Sequence, residues 1–319
     1  MNNLPVVSIL SCAYNQQDTI KQTIDSFLAQ QFDFPFEVVI GEDCSKDNTR
    51  LICLDYQSKY PGKIRILAHE RNLGILENFK SIVRELKGEF TALCGPDDYW
   101  IHTRKLQLQY EYLKNHSECS MVHTRYKQLE VESGTLKDIP IPDVNHDSYW
   151  QLLNGNFIGA QTVMIRTSIL KSALEDGLFD KGFLMEDYPL WLYAIEKGKL
   201  GFINEFTTVW RKHIESASNS RSIAKNLAFE LSILDVREYF AKRVGKLDAI
   251  KEGVVHKYKM LLHDAFMHRQ EAIARQCYAK LKSFGSASWK DFLYVSPVLG
   301  NVTRWGKQLV KKETKPKAQ

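Results

Sequence analysis

Residues 5–43 decide the fold: "PVVSILSCAY" (5–14), "DTIKQTIDSFLAQ" (18–30) and "FEVVIGED" (36–43) follow one another with short breaks. The first and third are near-continuous runs rich in β-branched residues, the pattern of strands buried on both faces. The second places Ile20, Ile24, Phe27 and Leu28 on one helical face, with Asp18 expected as its N-cap. Strand, helix and strand at this spacing make a βαβ unit with parallel strands.

The pattern repeats outward. "DNTRLICLDYQSKY" (47–60) reads as a helix broken by Pro61-Gly62, "KIRILAH" (63–69) as a strand, "LENFKSIVREL" (76–86) as a helix and "EFTALC" (89–94) as a fourth strand. The expected fold class is therefore α/β, with a Rossmann-like, mostly parallel sheet flanked by helices. Farther on, 103–116 reads as a helix and 119–140 as a hairpin turning at Ser133-Gly134. Residues 156–170 start irregular and end as a strand, 188–198 form a helix, and 199–213 form one or two strands. From 221 onward only helical periodicity remains, for example Val254, Tyr258, Leu261, Leu262 and Ala265. The expected organisation is an α/β domain over 1–220, a helical region over 221–285, and a basic amphipathic tail over 286–319.

Composition is that of a soluble globular chain: 319 residues, 44% hydrophobic and 25% charged. No run of apolar residues is long enough to span a bilayer, and the first residues lack the basic region of a signal peptide. Six cysteines, at 12, 44, 53, 94, 119 and 277, show no paired metal-ligand spacing and read as buried thiols, so a cytoplasmic location is expected. The net charge of +5 is local: residues 301–319 carry six Lys/Arg against one Glu, and the rest is neutral. In 290–312, Val298, Leu299, Val302, Trp305 and Leu309 share a helical face with Lys and Arg largely off it. That suits a membrane interface, and the alternative is a helix packed on the body. A neutral body without recurring basic-aromatic patches speaks against nucleic acid.

In an open parallel sheet ligands bind beyond the carboxyl ends of the strands. Those ends carry Ala13-Tyr14-Asn15, then Glu42-Asp43, then "RNLG" (71–74), then Asp97-Asp98. No G-x-G-x-x-G follows the first strand and no phosphate-binding P-loop occurs, so a phosphate ligand needs another partner. Two carboxylates at a strand end can hold a divalent cation that bridges to a diphosphate. Taken alone, the pair reads first as a turn and helix cap, Asp187 as the cap of the helix it precedes, and His213 as a structural histidine.

Taken in order, these segments resemble the family 2 glycosyltransferases, inverting enzymes of the GT-A fold that include hexosyltransferases of bacterial glycan and polysaccharide biosynthesis. The resemblance runs from about Val6 to Ser218. "EVVIGEDCSKDNT" is similar to the family's DDGSxDxT segment, with Glu42 in place of the first Asp. "GEFTALCGPDDYW" resembles the strand ending in its DxD motif, "MEDYPLWL" its ED motif and "WRKH" its R-x-H motif. The resemblance implies a nucleotide site made by Ala13, Tyr14, Asn15, Asp43, Asn72 and Asp97. It implies a metal site of Asp98 and His213 for Mn²⁺ or Mg²⁺, a diphosphate contact by Arg211, and Asp187 as general base. Asp98 is the first choice for direct coordination. UDP is the implied carrier, with GDP and dTDP open, and the acceptor is a glycan or a lipid-linked saccharide framed in part by 140–160. Many members read D-x-D-D, whereas Gly95 stands at the first acidic position here and leaves two carboxylates. A non-catalytic nucleotide-sugar-binding subunit, recruiting partners or forming an oligomer through 224–283, is the competing expectation.

Overall fold

The computed structural model describes residues 4–140, 145–213 and 221–296. The chain divides into two compact units, Met1–His213 and Ile214–Gln319.

The first unit opens with β1 (Val7–Ala13), α1 (Ile20–Leu28), β2 (Phe36–Glu42), α2 (Thr49–Lys59), β3 (Ile64–Ala68), α3 (Ile75–Glu85) and β4 (Phe90–Leu93). It continues with β5 (Tyr99–Trp100), α4 (Lys105–Asn115), β6 (Cys119–Glu130), β7 (Thr135–Asp138), α5 (Tyr149–Asn154) and β8 (Met164–Arg166). It ends with α6 (Thr167–Glu175), α7 (Asp187–Lys197) and β9 (Lys199–Lys212). The strands form one sheet in the order β3-β2-β1-β4-β8-β6-β9-β5, with β7 on the flank of β6. The β3-β2-β1-β4 half is wholly parallel, and β8 joins it antiparallel to both β4 and β6. This is the α/β sheet that the alternation in 5–94 predicts.

β1 and β2 are buried along nearly their whole length because helices cover both faces. Ile20, Ile24 and Phe27 of α1 pack with Val7, Ile9, Val38, Ile40 and Phe90 in one core. Phe27 meets the Trp100 ring with centroids 4.6 Å apart.

Two local expectations are corrected. Residues 156–170 do not end as a long strand: β8 covers three residues, and Thr167 onward turns into α6, burying Leu170 and Ala173. The N-cap position of α1 is Thr19 rather than Asp18, and its side chain does not cap the helix. Its hydroxyl donates instead to the Pro96 carbonyl, 3.1 Å away.

The second unit contains α8 (Ile223–Arg243), α9 (Leu247–Met267), α10 (Glu271–Ser283) and α11 (Trp289–Val295). Its core includes Leu234, Phe240, Val254, Tyr258, Leu262, Cys277 and Leu281. Lys280 ties the bundle polar-side, 2.8 Å from both Asp235 and Glu238. α11 ends at Val295, and its Tyr294 ring stacks on Phe266 at 4.7 Å; the amphipathic face expected from Val298 to Leu309 lies outside the described residues. Residues 214–220, and residues 297–319 of the tail expected over 286–319, lie outside the described residues. Among the described residues no helix is long and apolar enough to cross a membrane.

Candidate active site

The carboxyl ends of β1, β2 and β4 lie side by side, since β1 pairs with both neighbours in parallel register. Three clusters of predicted residues sit along that edge.

The first joins the loops after β1 and β2. The Asp43 N–H donates to the Ala13 carbonyl at 2.9 Å. Asn15 adopts φ 52°, and Cys44 φ 58°, backbone that non-glycine residues rarely hold. Cross-loop bonds keep them there: Asn15 N–H to Ser45 Oγ at 3.0 Å, Lys46 N–H to Asn15 Oδ1 at 2.8 Å, and Gln16 N–H to Thr49 Oγ1 at 2.6 Å. Tyr14 stays 38% exposed, so its ring is available to a flat ligand. Asp43, in contrast, is buried, and its carboxylate accepts the N–H groups of Leu73 at 2.7 Å and Gly74 at 2.9 Å. The Asn72 amide donates to the Asp43 carbonyl at 3.1 Å. Asp43 therefore fixes the 71–74 loop at the start of α3, where Gly74 holds φ 82°.

The second cluster is the acidic turn between β4 and β5. β5 pairs antiparallel with β9, Tyr99 opposite Val209, and this brings Arg211 alongside Asp98. The Arg211 N–H donates to Asp98 Oδ1 at 2.8 Å. The Asp98 carboxyl is buried and held far above the ordinary carboxylate range, first by burial and then by the charge of Asp97. Asp97 is less buried and also raised by burial, with partial relief from its own backbone N–H, from His213 and from Arg211. His213, at the end of β9, therefore sits in the field of Asp97.

Gly95 gives this turn its shape. A Cβ at position 95 would lie 2.8 Å from Asp97 Oδ1 and 3.6 Å from Asp98 Oδ2, so both carboxylates converge on the space a side chain would fill. Two hard oxygen donors that face one point, the charge of Asp97 raising Asp98, fit a divalent cation, which would relieve that repulsion. Among the described residues no group of three or more His, Cys, Asp or Glu could hold a metal ion. A cation there needs further ligands from phosphate oxygens or water.

The backbone of the turn is gripped from α1. Thr19, Gln22, Thr23 and Ser26 line one helical stripe. The Thr19 and Thr23 hydroxyls donate to the Pro96 carbonyl at 3.1 and 2.9 Å, and Thr23 also to the Asp98 carbonyl at 2.6 Å. The Trp100 N–H donates to Ser26 Oγ at 3.1 Å. Sequence reasoning missed this stripe. Its signal is a run of hydroxyl and amide side chains at i, i+3, i+4 and i+7, beside the apolar stripe of the same helix.

Arg211, expected at a diphosphate, is buried and turned inward. Its guanidinium donates to the Asp97 carbonyl and to Gln22 Oε1, and stacks 4.5 Å from the Tyr99 ring centroid. Behind the turn, Lys105 is fully buried, donates to Gln109 Oε1 at 2.6 Å, and lies 4.3 Å above the Trp100 ring. Burial pulls its ammonium down to about 7.

The third cluster is Glu186-Asp187 at the start of α7. Asp187 is half-buried and accepts the Tyr188 N–H at 2.6 Å and the Asn156 amide at 3.5 Å. Burial raises the Asp187 carboxyl, and burial with the charge of Asp187 pushes Glu186 up to about 7. Glu186 and Asp43 both raise the Cys12 thiol, after the larger effect of burial, so the third cluster meets the first across the end of β1. A carboxylate pair with a raised proton affinity suits base catalysis near neutral pH.

Comparison with known proteins gives the same direction. The profile described as "Glycosyl transferase family 2" matches residues 8–172. The uncharacterized protein Rv1520 of Mycobacterium tuberculosis is 31% identical over 208 residues, covering 65% of this chain and 59% of that protein's own length. The Escherichia coli protein WfgD, named UDP-Glc:alpha-D-GlcNAc-diphosphoundecaprenol beta-1,3-glucosyltransferase, is 27% identical over 231 residues, 72% of this chain and 85% of that one. Among solved structures, S. aureus TarS 1–349 in complex with UDP-GlcNAc superposes with a TM-score of 0.58 at 17% identity, over 94% of this chain and 92% of that one. That likeness identifies the fold as GT-A.

Proposed function

The chain belongs to glycosyl transferase family 2, and on that footing we propose that it transfers a sugar from a nucleotide-sugar, with UDP as carrier, to a hydroxyl of a glycan or lipid-linked saccharide, with inversion. What carries the reading is the convergence of Asp97 and Asp98 on one point at the carboxyl edge of this sheet. The name of WfgD, a UDP-glucose enzyme acting on a diphosphoundecaprenol-linked sugar, supports the donor and acceptor classes.

In this reading Tyr14, Asn15, Asn72 and the backbone at Ala13 line the base and ribose, and Asp43 keeps the 71–74 wall in place. Asp97, the less buried of the acidic pair and the one in the field of His213, is the better metal ligand, and Asp98 braces the turn through the Arg211 N–H. Mn²⁺ or Mg²⁺ bound there supplies Lewis-acid neutralisation of the charge developing on the diphosphate. Asp187 takes the proton of the acceptor hydroxyl as that oxygen attacks the anomeric carbon from the face opposite the diphosphate. Asn156 keeps the carboxylate aimed. An inverting displacement turns an α-linked donor into a β-linked product. NMR of the product anomeric proton tests this: β configuration is expected, and an α product overturns the single-displacement role of Asp187.

The acceptor class also accounts for the second unit. α11 leaves Trp289 69% and Phe292 48% exposed, and residues 301–319 add six Lys/Arg against one Glu. Exposed aromatics followed in sequence by basic charge suit peripheral contact with an anionic membrane surface, where lipid-linked acceptors reside. Sedimentation with phosphatidylserine vesicles is expected to fall on truncation at 289, and unchanged sedimentation removes this role.

A further inference from the structure

We propose that Arg211 and Gln22 are positioning residues: together they lock the backbone of the Asp97–Asp98 turn, and so set how the two carboxylates reach a divalent cation, while Arg211 does not contact the diphosphate. The inference rests on the glycosyltransferase reading for the identity of the cation's partner, but its geometry stands apart from it.

Both terminal nitrogens of the guanidinium are engaged on the protein side. One end donates to the Asp97 carbonyl and the other to Gln22 Oε1, and its face lies 4.5 Å from the Tyr99 ring. The residue is 7% exposed. A planar fork that spans two acceptors and stacks on an aromatic ring is held in one orientation, which a lysine cannot reproduce. The same residue's N–H holds Asp98 Oδ1, so side chain and main chain of Arg211 grip the two successive aspartates. The α1 hydroxyls of Thr19 and Thr23 take the Pro96 and Asp98 carbonyls. All three carbonyls from Pro96 to Asp98 thus have a donor, and the one between the two threonine-held carbonyls depends on Arg211. Gln22 fixes the far end of that arginine from an exposed position of α1. An exposed helical glutamine is a site where substitution leaves folding nearly unchanged, so the clamp can be loosened without removing any buried group.

The experiment uses the full chain with two probes, Mn²⁺ alone followed by EPR and UDP in excess EDTA followed by calorimetry. Gln22→Leu is expected to weaken Mn²⁺ binding by about 10–100-fold, the range for groups that orient metal ligands. Metal-free UDP affinity is expected to stay within about threefold of wild type, because no diphosphate contact is lost. Gln22→Glu, which keeps an acceptor for the guanidinium, is expected to restore Mn²⁺ binding. Arg211→Lys is expected to behave as Gln22→Leu. A fall in metal-free UDP affinity with Mn²⁺ binding intact would put Arg211 on the diphosphate and overturn the proposal. So would unchanged Mn²⁺ binding in Gln22→Leu, failure of Gln22→Glu to restore it, or no Mn²⁺ binding by the wild type. Donor turnover does not enter these readouts, so a failed sugar transfer assay and a failed clamp remain distinct results.

Discussion

Replacing Asp187 by asparagine separates base catalysis from binding and folding. The carboxylate accepts the Tyr188 N–H at 2.6 Å through Oδ1 and the Asn156 amide at 3.5 Å through Oδ2. An asparagine keeps the first bond through its carbonyl oxygen. It loses the second, which is already long, so the folding cost is about 1 kcal/mol or less. No contact to the nucleotide is assigned to Asp187, so donor affinity stays. What disappears is the proton acceptor, and turnover is expected to fall by about 10²–10⁴-fold, or about 2.7–5.4 kcal/mol of transition-state stabilisation. The pH dependence has a defined sign. Glu186 and Asp187 titrate as a pair, with the later proton held up to about 7 on Glu186 by burial and by the neighbouring charge. A base must be unprotonated, and burial holds Asp187 above the ordinary carboxylate range, so turnover rises with pH as Asp187 loses its proton and falls toward acid pH. Glu186→Gln removes the neighbour that titrates near 7 but leaves the burial that raises Asp187, so turnover is still expected to fall toward acid pH. The assay is release of nucleoside diphosphate across pH 5–9, with UDP affinity measured in parallel. Asp187→Asn turnover above about a tenth of wild type, or a loss of UDP affinity that matches the loss of turnover, refutes the base assignment.

Gly95→Ala brings a methyl to 2.8 Å from Asp97 Oδ1 and is expected to swing that carboxylate away, raising the Mn²⁺ concentration for half-maximal turnover by about tenfold with little change in melting temperature. Lys105 is charged in the unfolded chain up to its ordinary pKa near 10.5 but only to about 7 when folded. The unfolded state therefore binds more protons between those values, and stability rises with pH across that window. Lys105→Met is expected to flatten the rise in a series of thermal melts from pH 7 to 10. An unchanged slope would show that another group produces it.

The α/β frame was legible because buried parallel strands and amphipathic helices leave strong periodic signals, as in 5–43. The acidic turn was legible because two adjacent carboxylates after an apolar strand are electrostatically unusual. The grip on that turn was not. Thr23 and Asp98 stand 75 positions apart, and Arg211 and Gln22 are 189 apart. The first follows from α1 packing against the turn, and the second needs β5 to join β9, a strand contact that two residues, Tyr99 and Trp100, do not announce. Asp43 illustrates the same limit. Its motif points to a nucleotide, while its carboxylate bonds Leu73 and Gly74 N–H groups that no local spacing reveals. The short helix α6 was misread as strand because β8 runs straight into it and both bury apolar side chains.

The most direct test of the account is nucleoside diphosphate release from a panel of UDP-, GDP- and dTDP-sugars, with Mn²⁺ or Mg²⁺ and with EDTA. The account predicts release from at least one donor, a UDP-sugar first, that requires the divalent cation and is lost in Asp187→Asn. Binding of a nucleotide-sugar with no release from any donor, with or without metal and acceptor, would contradict it and identify the chain as a non-catalytic nucleotide-sugar-binding subunit.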